Sequence, residues 1–377
     1  MSFIAKFARR LFIFLNIMAA IFFLLACTNM FLHPGDWWFI AILGLFFPFM
    51  IAVHLFFIIG WLFARSRWAL LSVIVLLIGY TNISALVGTT YNAEWDAARE
   101  PYSLRLLSWN VHQFGYFENP KGADKNRREM LAFVKEQNPD VICFQEFVKE
   151  RGNHRKEETI FDVMKEIGYP HAFWSEDYIQ DRGEYSMGVA IFSKYPFIDS
   201  FRIRYKGDIS TMSAESLLAA DIAVDGKPVR IFTTHLQSNR IDQHDYVHVS
   251  SRRGDKDSVL IASKAITRKL RTAYRFRSQQ ADKLAAAMDA SPHPEIVAGD
   301  FNDIPNSYTY FRLRKNRVDA FHEKGWGLGR TFSHISPTLR IDYIIADKRF
   351  KVTGFKRKLL PNSDHYPIIA DLQLTKE

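Results

Sequence analysis

"SDHYPIIADLQL", residues 363–374, sets two titratable side chains, Asp364 and His365, directly in front of an apolar run. Ile368-Ile369-Ala370 and the alternating residues after it read as a strand entering a core. Turn chemistry alone would make the Asp-His pair a solvated loop tip. A buried strand immediately behind the pair, however, fixes the backbone and makes both side chains project from a rigid edge. Whether that edge is a site depends on what the other strand ends carry.

They carry the same kinds of residue. "LRLLSWN" ends at Asn110, "DVICFQE" at Glu146 and "RIFTTH" at His235; "PEIVAGDFND" holds Asp300 and Asn302, and "LRID" ends at Asp342. Singly, an Asp or Asn at a strand end is a turn former, and a lone His is a satisfied structural residue. Six strand ends bearing hard oxygen ligands or titratable groups form a joint pattern. In layered α/β folds such ends bring distant positions together.

The segments between the strands support that architecture. Residues 125–138 ("KNRREMLAFVKEQN") form an amphipathic helix pattern closed by Pro139, and residues 156–168 form another with a terminal Gly. Residues 216–236 read as a hairpin around Asp225-Gly226. Residues 264–290 read as helix. Hairpins mixed with strand–helix units predict a layered α/β sandwich over 102–377, preceded by a short polar linker at 91–101.

The first ninety residues are of another kind. Residues 11–32 contain no Asp, Glu, Lys, Arg or His; residues 37–64 contain only His54 of these; residues 68–93 are uncharged. A bilayer core takes roughly 20 apolar residues in a helix. Three transmembrane helices are therefore expected, at about 11–31, 38–63 and 69–88. A cleaved signal peptide fits poorly with two further apolar stretches. Lys6, Arg9 and Arg10 precede the first span, and Arg65 and Arg67 separate the second from the third. The positive-inside rule then puts the N-terminus in the cytoplasm. Three spans place the remainder on the non-cytoplasmic side, periplasmic or extracellular.

The whole chain has 49 Lys and Arg against 40 Asp and Glu, and the first ninety residues account for five and one of these. The remainder is only mildly basic, unlike a dedicated nucleic-acid binder. Two cysteines, one in the first span and one in a strand, offer no disulfide framework. There is no zinc-type Cys/His spacing, Gly-rich nucleotide loop or G-x-S-x-G elbow. Carboxylates and amide oxygens suit Mg²⁺, with Mn²⁺ or Ca²⁺ as substitutes. Histidines backed by acids suit acid–base work near neutral pH. Together they fit metal-assisted hydrolysis of a phosphate ester.

In their order, "SWNV", "ICFQE", "TTHL", "AGDFND", "RIDYI" and "SDHYPI" resemble the signatures of the endonuclease/exonuclease/phosphatase superfamily, in a membrane-anchored, bacterial-type form. The resemblance covers roughly residues 103–375 and implies the DNase I-like four-layered α/β sandwich. It implies metal ligands at Glu146, Asn110 and Asp364. It implies that Asn302 binds the phosphate, that His235 contacts the phosphate or protonates the leaving group, that Asp300 orients or deprotonates water, and that Asp342 braces His365. Either Asp300 or His365 is the base, and one or two metals are bound. Repair-type members carry an acid where this chain has His112, which weighs against that subgroup. A stretch at 250–283 with ten Lys or Arg and three Asp borders the site as either a solvated face or a basic rim. The expected activity is that of a membrane-anchored phosphoesterase acting on a lipid head group or other envelope ester. An anchored nuclease acting on DNA or RNA is the alternative, and a catalytically dead binding module is disfavoured by the complete residue set. No protein partner is expected.

Overall fold

The computed structural model describes residues 3–91, 101–151, 159–205, 214–239, 256–334 and 336–375. The expected linker therefore falls almost wholly outside them. The chain divides into two compact units. One comprises residues 1–87, 241–278 and 304–312; the other comprises residues 88–240, 279–303 and 313–377. The sequence pattern sets 241–278 and 304–312 within the expected catalytic domain at 102–377. The structure groups them with the N-terminal helices.

In the second unit, two sheets enclose a core. Across the seven-stranded sheet the main order is Phe350–Arg357, Ile368–Leu374, Ser103–Asn110, Val141–Glu150, Tyr185–Ser193 and His171–Trp174. The six-stranded sheet runs Arg317–Asp319, Asp342–Asp347, Glu295–Asp300, Lys227–His235, Leu217–Val224 and Phe197–Ile203. Leu104, Leu106, Val141 and Cys143 of the first sheet share one buried cluster with Ile231, Ile296, Ala298 and Ile344 of the second. The alternate residues Leu107, Trp109, Ile142 and Phe144 face the other way, onto helix residues Met130, Phe133, Val134 and Met164. Both faces of the first sheet are thus covered, which is why its strands read as nearly continuous apolar runs. The period of two then decides the fate of the strand ends: Asn110 follows Leu104 and Leu106 onto the inner face. His235, Asp300 and Asp342 likewise continue the inner positions of their own strands. The expected hairpin forms, with Leu217 opposite Thr234 and Val224 opposite Lys227.

The first unit is helical. Helices α1 (Phe3–Cys27), α2 (Pro34–Leu45), α3 (Phe47–Phe63), α4 (Ala69–Ile78) and α5 (Tyr80–Leu86) account for the three apolar stretches. Among the described residues, only α1, continued by a 3₁₀ turn to Met30, is by itself long and apolar enough to cross a membrane. The second stretch bends by 53° between α2 and α3, and the third by 69° between α4 and α5. Each bent pair, counted as one, makes a second and a third span. Pro48 explains the first bend, since it has no N–H to donate to Gly44 one turn back. At the second bend, a Cβ on Gly79 would lie 2.5 Å from the Phe23 ring of α1, so only glycine allows this approach.

Side chains in this unit are sorted in reverse. Phe14, Phe22, Phe56, Leu62 and Leu77 are exposed. Asn16, His54 and Ser72 are fully buried. The Ser72 hydroxyl donates to Asn16 Oδ1 at 2.8 Å, and His54 Nδ1 lies 3.1 Å from Ser72 Oγ. Asn82 of α5 donates to Asn306 Oδ1 at 2.6 Å, and Asn306 donates to the Ala26 carbonyl at 3.1 Å. The segment after the Asp300 strand is thereby held within the helical unit.

Candidate active site

Strand register assembles the site. Asp300 is the direct cross-strand partner of both His235 and Asp342. Three strand ends remote in sequence therefore stand side by side on one rim. Gly299 makes this pairing possible, because a Cβ there would meet the Thr234 carbonyl oxygen at 2.1 Å. On the facing sheet, Asn110 is level with Gln145. The register then shifts between Phe144 and Phe147, and Glu146 takes φ 50°. This bulge adds one residue, so Phe144 and Phe147 both keep to the outer cluster while Glu146 turns toward the rim.

Asn110 ties the two sheets together. Its Nδ2 donates to Glu146 Oε1 and to Asp300 Oδ2, each at 3.1 Å, while its Oδ1 accepts from the His112 backbone N–H at 3.0 Å. Gln113 Nε2 donates to the other oxygen of Glu146. Gln145 also spans the sheets, donating to Ser108 Oγ at 3.3 Å and Thr233 Oγ1 at 3.1 Å, each one inner position deeper on its strand.

Asp300 stands between two imidazoles. His235 Nε2 and His365 Nε2 each lie 3.6 Å from Asp300 Oδ2. Behind each imidazole, on its Nδ1 side, is a second carboxylate. Asp342 Oδ2 is 2.9 Å from His365 Nδ1, and Glu215 Oε2 is 3.4 Å from His235 Nδ1. The two carboxylate–imidazole pairs fix ring orientation and favour the protonated ring. His365 is anchored from its backbone too, since Trp109 Nε1 donates to its carbonyl at 2.9 Å. Asn302, at φ 52°, donates its backbone N–H to Asp300 Oδ1 at 2.8 Å and its side-chain amide to the Leu236 carbonyl at 3.0 Å.

The electrostatics follow from burial and pairing. Burial alone would lower the pKa of His235, but Glu215, Asp300 and Glu146 raise it to about 9. His365 is likewise opposed by burial, yet Asp342, Asp300 and Asp364 hold its pKa well above the ordinary value. Burial pushes Glu215 up to about 7, with His235 pulling the other way. Asp300 is raised by burial and by Asp342, with the His365 charge acting against them. Asp364 is half-buried, and the desolvation that would raise its pKa is outweighed by the charges of His365 and His112, which hold it well below the usual carboxylate range.

Seven of the eight residues singled out from sequence thus lie in one hydrogen-bonded and charge-paired group. The eighth, Asp364, joins it through His112, whose Nδ1 lies 3.2 Å from Asp364 Oδ1, and through Ser363, which donates to the Asn110 carbonyl at 2.8 Å. His112 also faces Glu118 at 3.5 Å, and its pKa rises to about 9 because Asp364 outweighs burial. Glu215 and Gln113 were missed in the sequence. Glu215 lies two residues before the first strand of the hairpin that His235 ends, and its backbone N–H donates to the His235 carbonyl at 2.9 Å. An acid abutting the apolar run 217–224 was the available signal. The donor set suits a hard divalent cation, being carboxylates, an amide and imidazoles. Asp300, Asp342 and His365 offer ligand atoms within 4.8 Å of one another.

Comparison with known proteins gives the same fold. Residues 107–365 match the model described as the Endonuclease/Exonuclease/phosphatase family. Residues 9–86 match a model described only as a domain of unknown function. No curated protein matches the chain. Among solved structures, an endonuclease/exonuclease/phosphatase from Beutenbergia cavernae is 19% identical, covers 73% of this chain and 72% of its own, and has a TM-score of 0.50. The human Nocturnin catalytic domain, solved with a bound sulfate anion, is 18% identical over 75% of this chain and 97% of its own, with a TM-score of 0.52. At these identities the likeness is one of fold, the DNase I-like α/β sandwich.

Proposed function

The chain belongs to the endonuclease/exonuclease/phosphatase family, and on that premise we propose that it is a membrane-anchored, Mg²⁺-dependent phosphoesterase. The observation that carries this reading is Asp300 set between two imidazoles, each braced by a second carboxylate. Asp300 accepts the proton of the attacking water, oriented by the Asn302 backbone N–H on its other oxygen. The imidazolium forms of His235 and His365 meet the phosphoryl oxygens, where their charge matches the dianionic transition state. Glu215 and Asp342 keep both rings turned and protonated. Glu146, with Asn110 and Asp364, would hold the metal, which when bound neutralises charge on the phosphoryl group. Imidazolium at the leaving-group oxygen supplies the proton for its departure.

The membrane reading rests on α1, on the apolar outer surface of α1–α4 and on the Lys and Arg distribution. It places the α/β unit on the non-cytoplasmic side, acting on a lipid head group or other envelope phosphoester. Residues 241–278 and 304–312 group with the helices, so the test requires the full chain in detergent rather than a fragment from residue 91. With Mg²⁺, phospholipid and sphingolipid in mixed micelles are compared with plasmid DNA as substrates. Lipid head-group release without nicking supports the reading; robust nicking with no lipid turnover makes the protein an anchored nuclease. Sidedness has a separate test, since a reporter fused after residue 95 should behave as non-cytoplasmic.

A further inference from the structure

The helix Lys256–Asp289 is divided between the two units, its first part falling within the helical one. Between residues 263 and 278 it contains no Asp or Glu. Lys264, Arg268, Arg271 and Arg275 are all exposed. At about 100° per residue, a spacing of four, three and four puts these side chains on one face, within about a sixth of the helix circumference. Among the described residues, none of the four makes an ion pair with a carboxylate. The opposite face is apolar: Ile266, Leu270 and Tyr274 pack on Ala41 and Ile42 of α2.

The packing partner sets the depth. Ala41 and Ile42 lie in the third turn of α2, about one turn beyond the aromatic group Trp37–Phe39. Trp37 and Phe39 are each 46% exposed, and Arg271 lies over the Trp38 ring at 5.8 Å. Aromatic residues of this kind sit at the membrane–water boundary of a spanning segment. A helix packed against that level of α2 turns its outer face to the neighbouring head groups.

We propose that Lys264, Arg268, Arg271 and Arg275 form a binding surface for anionic phospholipid head groups, which rests on the membrane reading of α1–α5 given above. Four guanidinium and ammonium groups in one row match phosphate-bearing heads in one plane, and a cluster of this size at the interface selects anionic lipid. The helix then holds the helical unit at a fixed height and gathers anionic lipid beside it.

The test uses the full chain in detergent micelles holding equal phosphatidylglycerol and phosphatidylcholine, with retained lipids counted by native mass spectrometry. Wild type should retain phosphatidylglycerol preferentially. The fourfold variant K264Q/R268Q/R271Q/R275Q, all at exposed positions, should lose that preference by at least about tenfold. H365A should keep it, which separates this surface from the active site. A fourfold variant with the wild-type lipid ratio overturns the proposal. So does loss of the preference in equimolar inorganic phosphate, or a stripe that retards an oligonucleotide while showing no lipid preference. Release of wild type from membranes by carbonate overturns the membrane reading itself. Firm membrane association without lipid preference overturns only this inference.

Discussion

The two units bury opposite kinds of side chain. In the α/β unit, Leu106, Ile231 and Ala298 fill the interior, and the polar residues collect where the inner faces of the sheets reach their rim. In the helical unit, Asn16, His54 and Ser72 lie inside, while Phe14, Phe56 and Leu62 face outward. Water as solvent explains the first arrangement. The second fits a hydrocarbon solvent, in which apolar surface costs nothing to expose and buried hydrogen bonds hold helices together. The site is built by the first logic: a dry, close-packed interior holds the strands, and their last residues inherit that rigidity.

The largest effect should come from the rim. Asp300→Asn or His365→Ala should lower turnover by at least about 10²-fold, as for loss of an acid–base group, with an unchanged circular dichroism spectrum. Within the same unit but away from the site, Leu106→Ala should cost about 2–5 kcal/mol in denaturant unfolding, because a fully buried side chain leaves a cavity between the sheets. Glu215→Gln should act between these and the background. Removing the charge behind His235 should lower kcat by about tenfold or more while KM moves little, as expected of a group that orients and charges its partner. In the helical unit, Asn16→Ala removes the acceptor of the Ser72 hydroxyl. It should cost only about 0.6 kcal/mol in detergent unfolding, since unfolded helices in an apolar solvent find other partners. Leu62→Ala, exposed on α3, should change that stability by less than about 0.5 kcal/mol. A large loss at Leu62 would mean that the outer face is packed against protein, and the contrast between the units would fail.

Much of the α/β unit is legible in the chain because alternation and turn chemistry are local. The period of two carries Leu104, Leu106 and then Asn110 to one face, and Asp225-Gly226 sets the hairpin that ends at His235. What local pattern does not reveal is register between strands. That Asp300 pairs with both His235 and Asp342 follows only from the assembled sheet. The Glu146 bulge is similarly invisible, since an extra residue in a strand leaves its composition unchanged. Glu215 is not marked by the strand pattern, because it stands two residues ahead of the strand Leu217–Val224 and is brought to the rim only by its pairing with His235. The bend at Gly79 depends on a packing partner, Phe23, whereas the one at Phe46 follows from the neighbouring Pro48. The grouping of residues 263–278 with α2 reflects contacts far apart in sequence.

Hydrolysis of bis(p-nitrophenyl) phosphate by the full chain in detergent tests the central claim most directly, with wild type and H365A compared in Mg²⁺ and in excess chelator. The arrangement of Asp300 between two braced imidazoles predicts wild-type turnover in Mg²⁺, loss of it on chelation with recovery on adding Mg²⁺ back, and a rate at least about 10²-fold lower for H365A. A folded H365A protein that hydrolyses the ester at the wild-type rate would contradict it.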